Sequence, residues 1–438
     1  MIHHLKMPLI HGRHFYLKNN QSKHCDKRQL ADLLSYSTDA IWNKRMNSSL
    51  NPQLTSPNDI AKQLANEFKK TAAERDKAGG NPKQQRDLIR QSGLLSLSIP
   101  KEYGGQGESW KTIFQTVRTI AQVDSSLAHV YGFHHLLIAT VQLFSQPEQY
   151  ADWFKQTAEQ NLFWGNTLNP LDRRTTAQQI SENEFIFHGD KSFCSGSIDS
   201  DILLCSGFNE EDKLLIGVIP TKREGVSFLG DWNNMGQRQT DSGTSHFEQV
   251  KIFKDELLLN PGPLSTPYSS LRPLIAQLTF VHLFLGVAEG AFELAKETVQ
   301  SQKAWSKSLV ENAVNDPFTQ KHFAEFYVQL ESVRLLTEKA IETFQQAWDK
   351  GSELNSEQRG EVSIAIATAK IAATNTSLFI TQNIFQVMGA RATTAKLNID
   401  RFWRNVRTQT LHDPIDYKYQ EVGEWVLTNK VPTPSFYS

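Results

Sequence analysis

The apolar residues of this chain change their period twice, and that order constrains the fold more than any single motif. "IAKQLANEFKKTAAERDKAGG", Ile60 to Gly80, repeats at helical spacing behind a Ser56 or Asn58 cap and stops on Gly79 and Gly80. "KQQRDLIRQSGLLSLSIPKEYGGQG" continues the helical pattern and closes in a Pro and Gly cluster. "SWKTIFQTVRTIAQVDSSLAHVYGFHHLLIATVQLF" is apolar on most faces, which places it at the centre of a helical bundle. From about Asn161 the pattern shortens into strand-like pieces, "NEFIFHGDKSF", "DILLCSGF", "KLLIGVIP" and "SHFEQVKIF", punctuated by Gly, Asp and Asn. From Leu271 three long helical patterns follow, at 271–300, 320–351 and 356–389, the last opened by a Ser or Asn cap and closed by Gly389. The expected organisation is a leader at 1–55, a helical N-terminal domain at 56–160, a compact β domain at 161–265, and a C-terminal helical bundle with its tail at 266–438.

Composition removes several classes of function. Net charge is -1 with 21% charged residues and no basic arm, so nucleic acid is not an expected partner. Cys25, Cys194 and Cys205 have no C-x-x-C spacing, which argues against a disulfide framework or zinc ribbon and for a reducing, cytoplasmic setting. The basic N-terminus lacks the apolar core of a secretory signal. The apolar run from Leu274 to Ala288 is too short for a bilayer and contains Gln277 and His282, so it reads as a buried helix and no membrane is expected. No Gly-x-Gly-x-x-Gly follows a strand, so NAD(P)H is not expected to bind.

The chemistry-bearing candidates are ambiguous by themselves. His412 and Asp413 in "RTQTLHDP" are either a helix end, with the histidine on the last carbonyls, or part of a site. His134 in "YGFHHLLIA" has the context of a satisfied core histidine, and a His-His pair without nearby carboxylates is a poor metal site, so no metal is expected. Asn166 and Ser195 read as turn formers, Phe193 and Trp232 as core, Cys194 as small packing, and Lys303 and Arg391 as solvated charges.

Motifs sharpen these readings. "IPKEYGGQG", "HGDKSFCSGS" and "MGQRQTDSGTSHFEQVKIFKDELL" resemble segments of the acyl-CoA dehydrogenase superfamily. "FWGNTLNP", "DWNNMGQRQTDSGTSHF", "VMGAR" and above all "DRFWRNVRTQTLHDPIDYK" resemble its flavin-dependent monooxygenases, the dibenzothiophene and sulfur-acquisition oxygenases, from about residue 60 onward. The resemblance implies an α+β fold: a helical N-terminal domain, a middle β-barrel and a C-terminal four-helix bundle. It implies a two-component monooxygenase that takes FMNH2 from a separate NAD(P)H-dependent flavin reductase and uses O2, through a flavin C4a-hydroperoxide, to oxygenate an organosulfur compound. FMN is expected over FAD, because the superfamily's "R-x-x-F-G" segment for the adenosine half is missing.

On this resemblance His412, His134 and Ser195 are the catalytic candidates. Asn166, Phe193, Ser195 and Trp232 hold the flavin ring, and Lys303 and Arg391 hold its phosphate, Arg391 by reaching into a neighbouring subunit of a homotetramer. Two departures stand out: Lys303 replaces a usual arginine, and Gln409 a second histidine. The superfamily's Glu-Gly-Thr base segment reads Leu-His-Asp-Pro here, which leaves an FAD-dependent acyl-CoA dehydrogenase with Asp413 as base as the enzymatic alternative. A flavin-free scaffold or binding protein is the non-enzymatic one.

Overall fold

Ser56 precedes a proline whose fixed φ suits a first helical turn, and α1 (Pro57–Lys69) follows, burying Ala61, Leu64, Ala65 and Phe68. The structure, a computed structural model, describes residues 56–438, so the expected leader lies outside the described residues. The pattern expected as one helix from Ile60 to Gly80 is two, because the chain turns at Lys70 and Thr71 before α2 (Ala72–Ala78), which ends on Gly79 at φ 68°. After α3 (Lys83–Gln91), the long apolar pattern also divides, into α4 (Trp110–Ala121) and α5 (Ser125–Phe144). Asp124 makes the division: its carboxylate caps α5 by accepting from Leu127 N at 3.0 Å and pairs with Arg75. All of α5 is buried except Gln142, as its unbroken apolarity requires. Periodicity did not single out α6 (Pro147–Gln160), whose buried stripe is only Tyr150, Phe154 and Thr157.

The middle of the chain is one curled seven-stranded sheet. Its strands are β1 (Trp164–Thr167), β2 (Thr176–Gln179), β3 (Glu184–Lys191), β4 (Ile202–Phe208), β5 (Leu214–Pro220), β6 (Val226–Phe228) and β7 (Ser245–Phe253). The order is β1-β4-β2-β3-β7-β6, with β5 antiparallel on the far side of β4. β1 runs parallel to β4, Trp164 opposite Ile202 and Thr167 opposite Cys205, which sets Asn166 beside Leu204. Phe187, Leu203, Cys205, Phe247, Val250 and Ile252 fill the sheet's core. The four strands visible as patterns are the long ones; β1, β2 and β6 have four, four and three residues, too few to show an alternation.

Three long helices, α7 (Arg272–Gln300), α8 (Pro317–Asp349) and α9 (Ser356–Met388), pack together, and the short α10 (Arg401–Gln409) and α11 (Ile415–Thr428) lie against α9. Asn355 is the cap of α9, in a reciprocal box with Gln358, and Gly389 at φ 73° ends the helix as its position predicts. Every residue of α7 from Arg272 to Glu289 is buried, enclosed by α4, α5 and α9. One expectation needs correcting: the apolar run at Leu274–Ala288 is part of a longer helix. By length and composition α5, α7 and α9 are each long and apolar enough to cross a membrane, but 94%, 94% and 61% of their most apolar windows are buried inside the protein.

α4 crosses α7 with almost no side chain between them. A Cβ on Gly290 would lie 1.8 Å from the Gln122 carbonyl oxygen, and one on Gly286 would lie 2.5 Å from that of Arg118. Alanine in a helix interior ordinarily gains roughly 0.5–1 kcal/mol over glycine. Here Gly290→Ala is expected to lose about 1–3 kcal/mol or more through overpacking, read as a lower urea midpoint. An unchanged or raised midpoint would show that the helices are not pinned at this crossing.

Candidate active site

A cavity of about 600 Å³ lies where α5, the sheet and the start of α7 meet the end of α10 and the residues that follow it. Several turns are tied together to form its wall. β1 presents Asn166, whose N–H donates to Ser195 O at 3.1 Å and whose side-chain oxygen accepts from Leu168 N at 3.2 Å. The turn after β3 is laced to the loop before β7, Cys194 N to Gly243 O and Gly196 N to Thr240 O. That loop is fixed to α10, since Asn405 Oδ1 accepts from Gln237 N at 2.7 Å.

Asn166, Phe193, Ser195, Trp232 and His412, candidates from four separate stretches of sequence, line this one cavity. Phe193 has φ 59° and is 61% exposed. A bulky residue rarely adopts the left-handed region, and strained conformations of this kind concentrate where a ligand is bound. Trp232 sits edge-on to it at 6.2 Å, its indole N–H donating to Gln237 O. Gln409, at the departure noted above, is buried and also lines the cavity. Cys194 is buried packing, its thiol pushed up to about 12 by burial.

His134 is not in the cavity. Its Nδ1 accepts from Trp164 N at 3.2 Å, so its Nε2 carries the proton and donates to Leu95 O at 2.8 Å. Burial pushes it down to about 3, and it serves as a neutral clamp joining α5 to β1 and the Leu95 turn. The α5 histidine that lines the cavity is His129, which the sequence reading missed. The two are five residues apart on α5, about 140° around the helix at 100° per residue, and only His129 points at the site. Choosing between them needed the helix's orientation; the sole sequence signal was a further histidine on the same apolar helix.

His129 heads a chain of hydroxyls. Its Nε2 is 3.0 Å from Ser195 Oγ, which is 2.7 Å from Ser242 Oγ; Ser242 donates to Thr240 Oγ1, and Thr240 to Gln237 O. Each hydroxyl has one proton. Ser242's goes to Thr240, so Ser195 donates to Ser242 and must accept from His129 Nε2–H. The imidazole is held neutral, burial first and then His412 pushing it down to about 3, with Nδ1 buried and unpartnered.

His412 reaches the cavity from the other side, its ring 4.6 Å from that of Phe280, which also stacks on His129 at 6.0 Å. Its Nδ1 lies 3.1 Å from Asp413 Oδ1. Asp413 is 8% exposed and is held by Lys370 Nζ at 2.7 Å to each oxygen, with Gln277 Nε2 at 3.4 Å. Burial opposes its ionisation, but the hydrogen bond from His412 and the charge of Lys370 outweigh burial and hold it well below the usual carboxylate range. Asp413 is therefore not the free base of a dehydrogenase, and among the described residues no Asp or Glu lines the cavity.

The expected phosphate cations do not line it either. Lys303 is 84% exposed, 3.9 Å from Glu311, and Arg391 is exposed with no ion pair among the described residues. They lie at the same end of the bundle, since Gln302 bonds to Met388 O. That end is separated from the cavity by the 29 residues of α7, roughly 43 Å at 1.5 Å per residue.

The cavity suits a flat aromatic ligand. Its volume falls within the range of cofactor sites. Its walls are Phe133, Leu136, Phe193 and Trp232, with Asn166, Ser195 and His129 as convergent polar groups. Residues 58–161 and 278–417 match the family models of the acyl-CoA dehydrogenase N-terminal and C-terminal domains. The probable FMNH2-dependent monooxygenase SfnC of Pseudomonas putida is 53% identical over 90% of this chain and all of its own. Methanesulfinate monooxygenase MsuC from Pseudomonas fluorescens superposes with a TM-score of 0.87 at 55% identity, over 88% of this chain and 100% of its own. FMN-bound TdsC of Paenibacillus sp. A11-2, a dibenzothiophene monooxygenase, gives 0.84 at 40% identity, over 87% and 100%. The chain belongs to the acyl-CoA dehydrogenase family, among its FMNH2-dependent monooxygenases.

Proposed function

We propose that the protein is an FMNH2-dependent monooxygenase that oxygenates an organosulfur compound, for sulfur acquisition or desulfurisation, with reduced FMN supplied by a separate NAD(P)H-dependent flavin reductase. One observation carries the reading: His412 and the His129–Ser195 pair converge on a cavity that no carboxylate of the described residues lines, while the aspartate at the dehydrogenase base position is locked in an ion pair. Removing a proton from a thioester needs a free carboxylate over the ring, which this cavity lacks.

Reduced FMN bound in the cavity would supply the two electrons that activate O2. Asn166 and Ser195 would offer amide and hydroxyl to the ring edge, and Phe193 with Trp232 would cover a face and exclude water. Asp413 accepts the Nδ1–H of His412, which fixes the tautomer and leaves Nε2 to take or give a proton at the reacting atoms. His129 Nε2–H holds Ser195 in place, and burial keeps its imidazole neutral. We assign the FMN phosphate to Lys303 and Arg391 of a neighbouring copy, since their own cavity is too far away; the assignment requires sites shared between subunits, as in a homotetramer. A cytoplasmic setting agrees with the buried free thiols of Cys194 and Cys205.

A reductase-coupled assay over sulfides, sulfones and sulfinates is expected to yield a product one oxygen heavier. Hydrogen peroxide alone, at the rate of free flavin, would reject the reading. His412→Ala should lower coupled oxygenation by about 10²-fold or more, the usual scale for a proton-transfer group. His134→Gln should cost stability but keep turnover within a few-fold. Asp413→Asn leaves the Lys370 ammonium buried alone and should cost about 3–5 kcal/mol in urea unfolding, with Lys370→Met in the same chain restoring much of it. Equal stability of the single and double variants would mean that the pair is not buried as described.

A further inference from the structure

The residues assigned so far leave one charged group in the cavity wall unused. Arg272 opens α7, is 6% exposed and is, among the described residues, the one Lys or Arg that lines the cavity. Its partners are neutral: Nε donates to Thr140 Oγ1 at 3.3 Å, and the guanidinium stands 5.8 Å from the centre of the Phe436 ring. Its two terminal nitrogens have no hydrogen-bond partner among the described residues, yet neither is sealed away as a buried orphan. The two arginines buried more deeply each have acceptors away from the cavity, Arg86 at Asp199 and the Gly196 carbonyl, Arg359 at the carbonyls of Ser270 and Ser438, although Nη1 of each is left unpartnered.

Among the described residues no Asp or Glu lines the cavity, and behind its wall Lys370 and Asp413 cancel. One positive charge remains without a counter-ion, in a place where burying it costs free energy. A guanidinium fork presents paired donors to a planar or pyramidal oxyanion. Arg272 shares the first turns of α7 with Ala276 and Gln277, both in the cavity wall, and Gln277 bonds to the Asp413 that orients His412. An anionic head on Arg272 therefore lies beside the wall that carries His412.

We propose that Arg272 is the anion-binding residue of the substrate subsite, and that the substrate is an organosulfinate rather than a neutral sulfide or sulfone. This deepens the monooxygenase reading and rests on it. Among organosulfur anions the sulfinate has what oxygen transfer requires, a lone pair on sulfur; a sulfonate has none. The balance is R–SO2⁻ + FMNH2 + O2 → R–SO3⁻ + FMN + H2O. The sulfur lone pair forms the new S–O bond as the O–O bond breaks, and the second oxygen leaves as water with both hydrogens. Sulfur and FMNH2 each lose two electrons, the four that O2 gains. The alternative anion, the FMN phosphate, is a dianion that calls for several converging donors, and Arg272 has no other cation beside it in the wall.

The test begins with flavin-free protein. Methanesulfinate should raise the wild-type Tm in a dose- and salt-dependent way, should not raise that of Arg272→Gln, and should partly raise that of Arg272→Lys. The unliganded Arg272→Gln protein should unfold no earlier than wild type, because it has lost an unpaired buried charge; should it fail to fold, Arg272→Lys carries the same readouts. In the coupled assay Arg272→Gln should lower kcat/KM for methanesulfinate by about tenfold or more, the scale of a hydrogen bond to a charged group, with FMN affinity unchanged. Three results overturn the proposal: a wild-type preference for dimethyl sulfone or dibenzothiophene over methanesulfinate, sulfite release from an alkanesulfonate, or an Arg272→Gln variant that loses affinity for FMN but not riboflavin. If FMNH2 binds and no sulfur compound of any class is oxygenated, the monooxygenase reading falls with it.

Discussion

Lys370 and Asp413 are buried together, 3% and 8% exposed, and neither is tolerable without the other. Taking two charges out of water costs several kcal/mol each, and attraction in the interior repays this only when geometry is good and remaining donors are satisfied. Here Lys370 contacts both carboxylate oxygens and Gln277, and Asp413 also receives His412 and Gln277. The pair thus fastens α9, α7 and the turn between α10 and α11 at one point. That point fixes where His412 can stand. The same interaction removes the carboxylate from dehydrogenase chemistry and orients an imidazole for another kind.

Around that fixed point the site distributes charge unevenly. Histidines that might ionise are held neutral by burial, His129 through Ser195 and His134 through two backbone groups. Arg272 stays charged with no ion-pair partner among the described residues. Stability alone would favour a neutral residue at such a position. A cavity wall that keeps an uncompensated guanidinium gives up folding free energy, which an anionic ligand can return on binding. The strained, exposed Phe193 lines the same cavity.

Legibility in the sequence followed element length. α7, α8 and α9 each repeat their pattern over 29 or more residues, and even the Asn355 cap and the Gly389 stop were readable. β1, β2 and β6 are too short to show a period, and α6 buries too thin a stripe. Where one apolar run held two helices, the break lay in a single capping side chain, Asp124, whose role depends on the backbone that it caps. Asn166, Ser195, Phe193, Trp232 and His412, singled out by local motifs, do line one cavity. His129 and Arg272 were not singled out, since nothing local separates them from a core histidine and an ordinary helix-start arginine.

The sequence by itself determined the order of helices, sheet and helices, the family likeness, and the replacement of a dehydrogenase base by a histidine, because each is written in contiguous residues. Only the tertiary structure decided which of two histidines on α5 faces the cavity, that Asp413 is spent on Lys370, and that Arg272 is charged and alone. Those depend on helix rotation and on partners tens to hundreds of residues away: Lys370 lies 43 residues from Asp413, and Thr140 lies 132 from Arg272. A linear pattern carries a residue's neighbours in the chain, whereas ionisation and accessibility are set by its neighbours in space.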